Sequence, residues 1–143
     1  MNWSYNGMII ESHKDLHKKC SDIVYELKFS DETKYIGKRV VRSMRRLKPT
    51  KKQLAIRKNY KRIEFKDIPF KDYEGSSSEN EGKTLVSKEI LYQCSTKKTA
   101  TYIEAALLFD LGVLFTDEYN NKNISGTFFD TSLDGLIEEK DYE

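Results

Sequence analysis

The stretch from Asp22 to Val41 leaves the chain little freedom. Tyr25, Leu27 and Phe29 alternate with Glu26 and Lys28 behind the β-branched pair Ile23-Val24, the period-two pattern of a half-buried strand. Ser30-Asp31-Glu32-Thr33 is a turn, and Lys34 to Val41 returns as a second strand through the flexible Gly37. The pair predicts a β-hairpin. Val86 to Cys94 reads as a third strand, with Ile90, Tyr92 and Cys94 on one face and Leu91 on the other. Ser95 or Thr96 caps a helix that starts near Lys97, runs through Leu107-Leu108 to about Leu111, and stops at Gly112.

The remaining segments are less regular. Residues 1–21 read as a short extended piece followed by a loop, an N-terminal extension. Arg42 to Leu47 suits a short helix that ends before Pro49, because the residue preceding a proline avoids the α region. Residues 48–83 read as a basic and polar insertion, mostly irregular, with a helical turn around Gln53 to Tyr60. Residues 130–143 hold six acids and one Lys, an acidic tail. The expected architecture is α+β: a small three-stranded antiparallel sheet flanked by helices, over residues 22–129.

Charge is segregated along the chain. Residues 38–62 contain twelve Lys or Arg and no acid, which leaves 13 basic and 23 acidic residues elsewhere. A cationic stripe on an anionic body is the footprint of a polyanion-binding surface, although many such runs are only solvated loops. The cations are Lys38, Arg39, Arg42, Arg45, Arg46, Lys48, Lys51, Lys52, Arg57, Lys58, Lys61 and Arg62.

Several function classes fall away. No apolar run approaches the ~20 residues that span a bilayer, so no membrane role is expected. The opening Met1-Asn2-Trp3-Ser4-Tyr5 lacks a basic stretch ahead of an apolar one. Cys20 and Cys94 make neither a metal pair nor a disulfide framework, which points to a reducing, cytoplasmic setting. His13 and His17 share an i, i+4 spacing but lack further zinc ligands, and read as polar surface residues. There is no Walker A loop and no GxSxG elbow.

Within the hairpin, Ile23-Val24-Tyr25 and Tyr35-Ile36-Gly37 resemble the paired motifs of the GIY-YIG nucleases. Ile23 stands where glycine is usual, and the second motif is intact. Arg45, eight residues past Gly37, matches the arginine of the family's following helix, with Arg42 and Arg46 close by. Glu104 matches the glutamate of a later helix, and Asn121 the asparagine after it, with Asn120 and Asn123 as alternatives. Lys38-Arg39, Lys71-Asp72-Tyr73-Glu74-Gly75-Ser76, Lys88-Glu89-Ile90-Leu91 and Tyr119-Asn120 resemble a bacteriophage, homing-endonuclease-like branch. The resemblance spans roughly residues 20 to 128.

That resemblance implies an endonuclease that hydrolyses DNA. Phosphodiester hydrolysis needs a deprotonated water, a stabiliser of phosphate charge and protonation of the leaving oxygen. Tyr25 would be the general base, needing a nearby cation because a free tyrosine titrates near ~10. Tyr35 would bind phosphate and order the water. Arg45 would place a guanidinium fork on the phosphate, and Lys38 would contact it. Glu104, amid Ile103, Ala105, Ala106, Leu107 and Leu108, is costly to bury unless paired or bound to metal, and would hold a single Mg²⁺ or Mn²⁺. Its bland alternative is a helix position turned to solvent. Gly37 and Asn121 would support the site.

The expected partner is double-stranded DNA in the cytoplasm of a host or phage-infected cell, with the basic run tracking its backbone. A separate sequence-reading domain has no clear room, which leaves relaxed specificity, recognition by residues 48–83, or assembly with a second copy. A homodimer is one route to double-strand cleavage. The competing readings are a nucleic-acid-binding protein that keeps the fold without catalysis, and a small protein-interaction module.

Overall fold

A computed structural model of the chain describes residues 1–137. Residues 138–143, which hold four of the six acids of the acidic tail, lie outside the described residues.

The chain opens with strands β1 (Trp3–Tyr5) and β2 (Met8–Ile10), joined by Asn6-Gly7. Both turn residues have positive φ, 50° and 81°, as a tight two-residue hairpin turn requires. The predicted hairpin follows as β3 (Asp22–Phe29) and β4 (Lys34–Val40). The third predicted strand is β7 (Leu85–Cys94). Together they form one five-stranded sheet in the order β2-β1-β7-β3-β4. β1 pairs with β7 in parallel, and the other pairings are antiparallel.

The expected three-stranded antiparallel sheet is therefore a five-stranded mixed one. The first ten residues are not an appendage: Trp3 and Ile10 are among the most deeply buried side chains. Trp3 also donates its indole N–H to the Phe70 carbonyl at 2.9 Å. The Asn6-Gly7 dipeptide was the signal for this hairpin.

The strand alternation sorts the core into two layers. Ile23, Tyr25, Leu27 and Ile90 pack with Trp3, Leu16, Val41 and Phe70 on one face. Val24, Ile36 and Cys94 face the other side, under Ala100 and Leu108 of helix α2 (Lys97–Asp110). Ile90 and Cys94 thus lie on opposite faces, contrary to the sequence alternation. The pairing register jumps between Val24↔Tyr92 and Tyr25↔Ile90, so Leu91 is an extra residue in a bulge, and one extra residue reverses the facing of everything beyond it.

The predicted helix after β4 is instead a strand. β5 (Arg42–Leu47) pairs antiparallel with β6 (Arg62–Asp67), and a six-residue helix, α1 (Lys51–Ile56), sits in the connection. Local propensity could not decide this, because the strand is stabilised by partners 15 to 25 residues away (Leu47↔Arg62, Arg42↔Asp67). This ribbon is an arm: no side chain is buried between Val41 and Phe70. Residues 68–83 are not mobile filler either; they wrap back over the sheet, fixed by Trp3 and by Lys88. Lys88 is 2% exposed and gives its ammonium to the carbonyls of Lys71 (2.7 Å) and Tyr73 (3.1 Å).

Helix α2 follows expectation. Thr96 caps it by accepting from the Thr99 N–H, and Gly112 ends it in the left-handed region at φ 59°. Two short strands, β8 (Asn123–Ile124) and β9 (Phe128–Phe129), and a 3-10 helix over Asp130–Gly135 complete the described residues. None of the described helices is long and apolar enough to cross a membrane.

Candidate active site

β4 is the exposed edge of the sheet, and the site is built along it. Tyr35, Gly37 and Arg39 face one layer, while Ile36 and Lys38 face α2. Side chains from both faces therefore meet at the same edge.

On the first face, Tyr25 is almost wholly buried, and its ring crosses directly over Gly37. A Cβ added at Gly37 would lie 2.5 Å from the Tyr25 hydroxyl oxygen and 2.6 Å from Cζ. This explains the glycine of the second motif: only a residue without a side chain lets the tyrosine hydroxyl reach the edge. Tyr73 packs edge-on to Tyr25, with ring centroids 6.0 Å apart, and the Arg39 guanidinium lies over the Tyr73 ring at 4.4 Å. Burial first, and then the neighbouring Tyr73 hydroxyl, raise the Tyr25 hydroxyl far above its ordinary value. Burial likewise raises Tyr35, while the Ser77 hydroxyl pulls it part of the way back. Both residues are neutral phenols at physiological pH.

On the second face, Thr101, Glu104 and Leu108 form one stripe of α2 at i, i+3 and i+7. They line a cleft of about 330 Å³ with Tyr35, Lys38, Glu79 and Asn121. Glu104 is partly buried there, and desolvation raises its carboxyl above the usual range, with Lys38 lowering it in part. Glu104 also raises both Tyr25 and Tyr35, so the carboxylate and the two hydroxyls share one electrostatic neighbourhood. Lys38 is held by its ammonium donating to Thr101 Oγ1 at 2.6 Å.

Asn121 fixes the edge itself. Its Oδ1 accepts from the Ile36 N–H at 3.0 Å and its Nδ2 donates to the Ile36 carbonyl at 2.8 Å. One amide thus replaces the missing strand neighbour of the central motif residue. Beside it, Lys34 N–H donates to Glu118 O (2.9 Å) and Asn120 N–H to Lys34 O (2.7 Å). Asn120 bonds Thr33 and Asn80, and Asn123 lines the cleft; neither duplicates the Asn121 contact.

The predicted cations divide into two sets. Arg45 is not in the cleft: it lies exposed on β5, opposite Glu64. Arg46 is exposed on the same strand, so the arginine expected on a helix after the second motif has no counterpart there. Arg42 is turned toward the body of the fold. It donates to the carbonyls of His13 (2.7 Å), His17 (2.7 Å) and Cys20 (3.1 Å) and pairs with Asp67 at 3.3 Å. Arg39 is occupied by Tyr73. Lys48, Lys51, Lys52, Arg57, Lys58 and Lys61 are exposed, and Arg62 is half-exposed, all on the arm or its connection. His13, expected at the surface, has its Nε2 2.9 Å from both the Val41 and Ile68 carbonyls.

Tyr73, Ser77 and Glu79 were missed as site residues. They come from a segment that reads as a polar loop, and only the closure of that loop onto β4 brings them in. Tyr73 stood within the Lys71–Ser76 run that carried part of the resemblance, which was its one sequence signal.

For a divalent cation, the donor set is lean. The described residues contain no cluster of three or more His, Cys, Asp or Glu side chains. The cleft instead offers Glu104, with Glu79 across from it. That suits Mg²⁺, which binds through one or two carboxylates and fills its other positions with water and substrate phosphate. It does not suit an all-protein cage.

Residues 3–124 match the family model described as "Putative endonuclease segE, GIY-YIG domain". The match begins at the β1 hairpin and ends at β8, so it spans the whole five-stranded sheet and all of the cleft lining except Ser125. No curated protein and no solved structure matches. With Tyr25 set over Gly37, Glu104 in the facing cleft and the match covering most of its length, the chain belongs to the segE-type GIY-YIG endonuclease family.

Proposed function

We propose that this chain is a metal-dependent endonuclease that hydrolyses phosphodiester bonds of double-stranded DNA. The observation that carries the reading is the edge of β4, where the Tyr25 ring crosses a glycine with no room for a side chain and Tyr35, Lys38 and Glu104 line one cleft. Ile23, the departure from the first motif, is fully buried and so cannot obstruct the edge.

The residues divide the work. Glu104 would hold a single Mg²⁺ or Mn²⁺, which when bound supplies Lewis-acid charge at the phosphate and leaving oxygen. Lys38, on the same wall, binds phosphate oxygen. Tyr35 orients the attacking water, and Tyr25 takes its proton. Arg45 stands on the arm and is not among the residues that line the cleft. Because both hydroxyls are raised, the working base is a scarce phenolate, and its population grows with pH. The cleavage rate should therefore climb steadily from pH 6 to 9 without a plateau; a plateau beginning below pH 7 would remove Tyr25 from the role. The exposed arm cations supply backbone contacts that weaken with salt.

Plasmid DNA incubated with the protein and Mg²⁺, beside Glu104→Ala and an EDTA control, tests the reading. Cleavage is expected from the parent alone. Salt-sensitive binding without cleavage would instead make the chain a binding protein on a nuclease fold. Cleavage unchanged by Glu104→Ala would overturn the site.

A further inference from the structure

The arm has no part in either core, yet it is held to the body. Its base is clamped from the body. Arg42 donates to three carbonyls of the 13–20 loop and pairs with Asp67. His13 lies within hydrogen-bond distance of the carbonyls of Val41 and Ile68, which flank the two strands. A merely solvated loop needs no such anchor. The clamp fixes the direction of β5 relative to β4, the strand that carries the candidate active site.

The two faces of the arm differ. Directly opposed residues share a face, so Ser43, Arg45 and Leu47 lie with Lys66, Glu64 and Arg62. Met44 and Arg46 lie with Phe65 and Ile63 on the other. The first face is the hydrogen-bonding one, with three cations and one carboxylate. Two strands ~4.8 Å apart with their side chains match the ~12 Å width of the major groove of B-DNA. Arginine reads guanine there through O6 and N7, and a carboxylate accepts from the cytosine amino group. Arg45 and Glu64, opposite each other, offer both halves of a G·C pair.

We propose that the arm over residues 42–67 is a two-stranded ribbon that enters the major groove of duplex DNA and reads base edges with the Arg45, Glu64, Arg62 and Lys66 face. The inference rests on the nuclease reading only in taking DNA as the substrate. It places sequence recognition inside the nuclease fold, in an element continuous with the motif strand. From Lys38 to Leu47 is nine residues; at ~3.3 Å each this reaches ~30 Å, or about nine base pairs. The bases read should lie within that distance, to one side of the cut.

The test uses full-length Glu104→Gln protein, which should bind without cutting. It is offered a duplex pool with a randomised 20-base-pair core, and the bound fraction is sequenced. A short enriched motif is expected. Arg45→Ala should relax preference at one position of it by roughly 5- to 100-fold, while Met44→Ser/Phe65→Ser leaves the motif intact. On the enriched duplex, methylation of guanine N7, which projects into the major groove, should block binding; methylation of adenine N3, in the minor groove, should not. No enriched motif, a motif unchanged in Arg45→Ala, a motif altered by Met44→Ser/Phe65→Ser instead, or interference confined to adenine N3 would each overturn the proposal. A failure of the nuclease reading shows separately, as absent cleavage by the parent protein with the binding motif retained.

Discussion

Gly37 and Glu104 show how closely single positions are constrained. Alanine at Gly37 would put a methyl group inside contact distance of the Tyr25 hydroxyl and Cζ. Tyr25 is buried against Trp3 and cannot swing freely, with ring centroids 5.2 Å apart. Gly37→Ala should therefore cost about 1–3 kcal/mol in urea denaturation and displace the hydroxyl from the edge, with cleavage falling more than stability. Glu104 behaves in the opposite way. Burial raises its carboxyl, so the ionised form is the one that folding disfavours. A neutral glutamine removes that cost wherever the native carboxylate would be charged. Glu104→Gln should raise Tm at pH 8, with the gain shrinking as pH falls toward 4, while cleavage drops at least ~100-fold. Thermal scans at the two pH values check the sign; a lower Tm at pH 8 would mean that Glu104 has a structural partner instead.

At the scale of elements, the edge strand β4 is the element that the rest of the fold serves. An edge strand exposes unpaired backbone groups, and here Asn121 and the 118–120 segment satisfy several of them. Asn121→Ala would leave a buried N–H and carbonyl of Ile36 without partners, costing about 2–4 kcal/mol. Hydrogen exchange at the Ile36 amide is the direct measure: it should lose protection in the variant, while the amides of β3, paired on both sides, keep theirs. The bulge at Leu91 works in the same service, because it lets Ile90 pack beneath Tyr25 while Cys94 packs under α2. Lys88 and Trp3 hold the loop that brings Tyr73 against Tyr25.

For the molecule as a whole, the segregation of charge seen along the sequence becomes a segregation in space. The cations nearest the motif turn inward, to Thr101, Tyr73 and the 13–20 loop. The others stand on an arm with no buried side chain. DNA affinity should thus fall steeply with salt, and the arm should carry most of that dependence. Lys51→Ala/Lys52→Ala, both on exposed α1, should lower the slope of log K against log salt by about 2 if both meet phosphates. Titrations at several salt concentrations, with the Glu104→Gln background preventing cleavage, check this. An unchanged slope would place the phosphate contacts elsewhere on the molecule.

What the sequence determined by itself was whatever is encoded over short range. Strict alternation specified β3, the turn after it returned the chain as β4, a threonine cap and a left-handed glycine bounded α2, and the family resemblance named Tyr25, Tyr35, Gly37, Glu104 and Asn121 as candidates. The tertiary structure alone decided everything that depends on a distant partner. β1 could be recognised as a strand of the sheet only once β7 lay beside it. β5 took strand form because β6 returns to pair with it, although its own residues suit a helix. Which cations are free followed from which carbonyls and rings came within reach of Arg39 and Arg42. Tyr73, Ser77 and Glu79 joined the site because a loop with no periodicity of its own is pinned by a buried lysine and a tryptophan. Local pattern fixes backbone preference through φ, ψ and burial period, whereas long-range pairing energy depends on contacts that no single window of sequence contains.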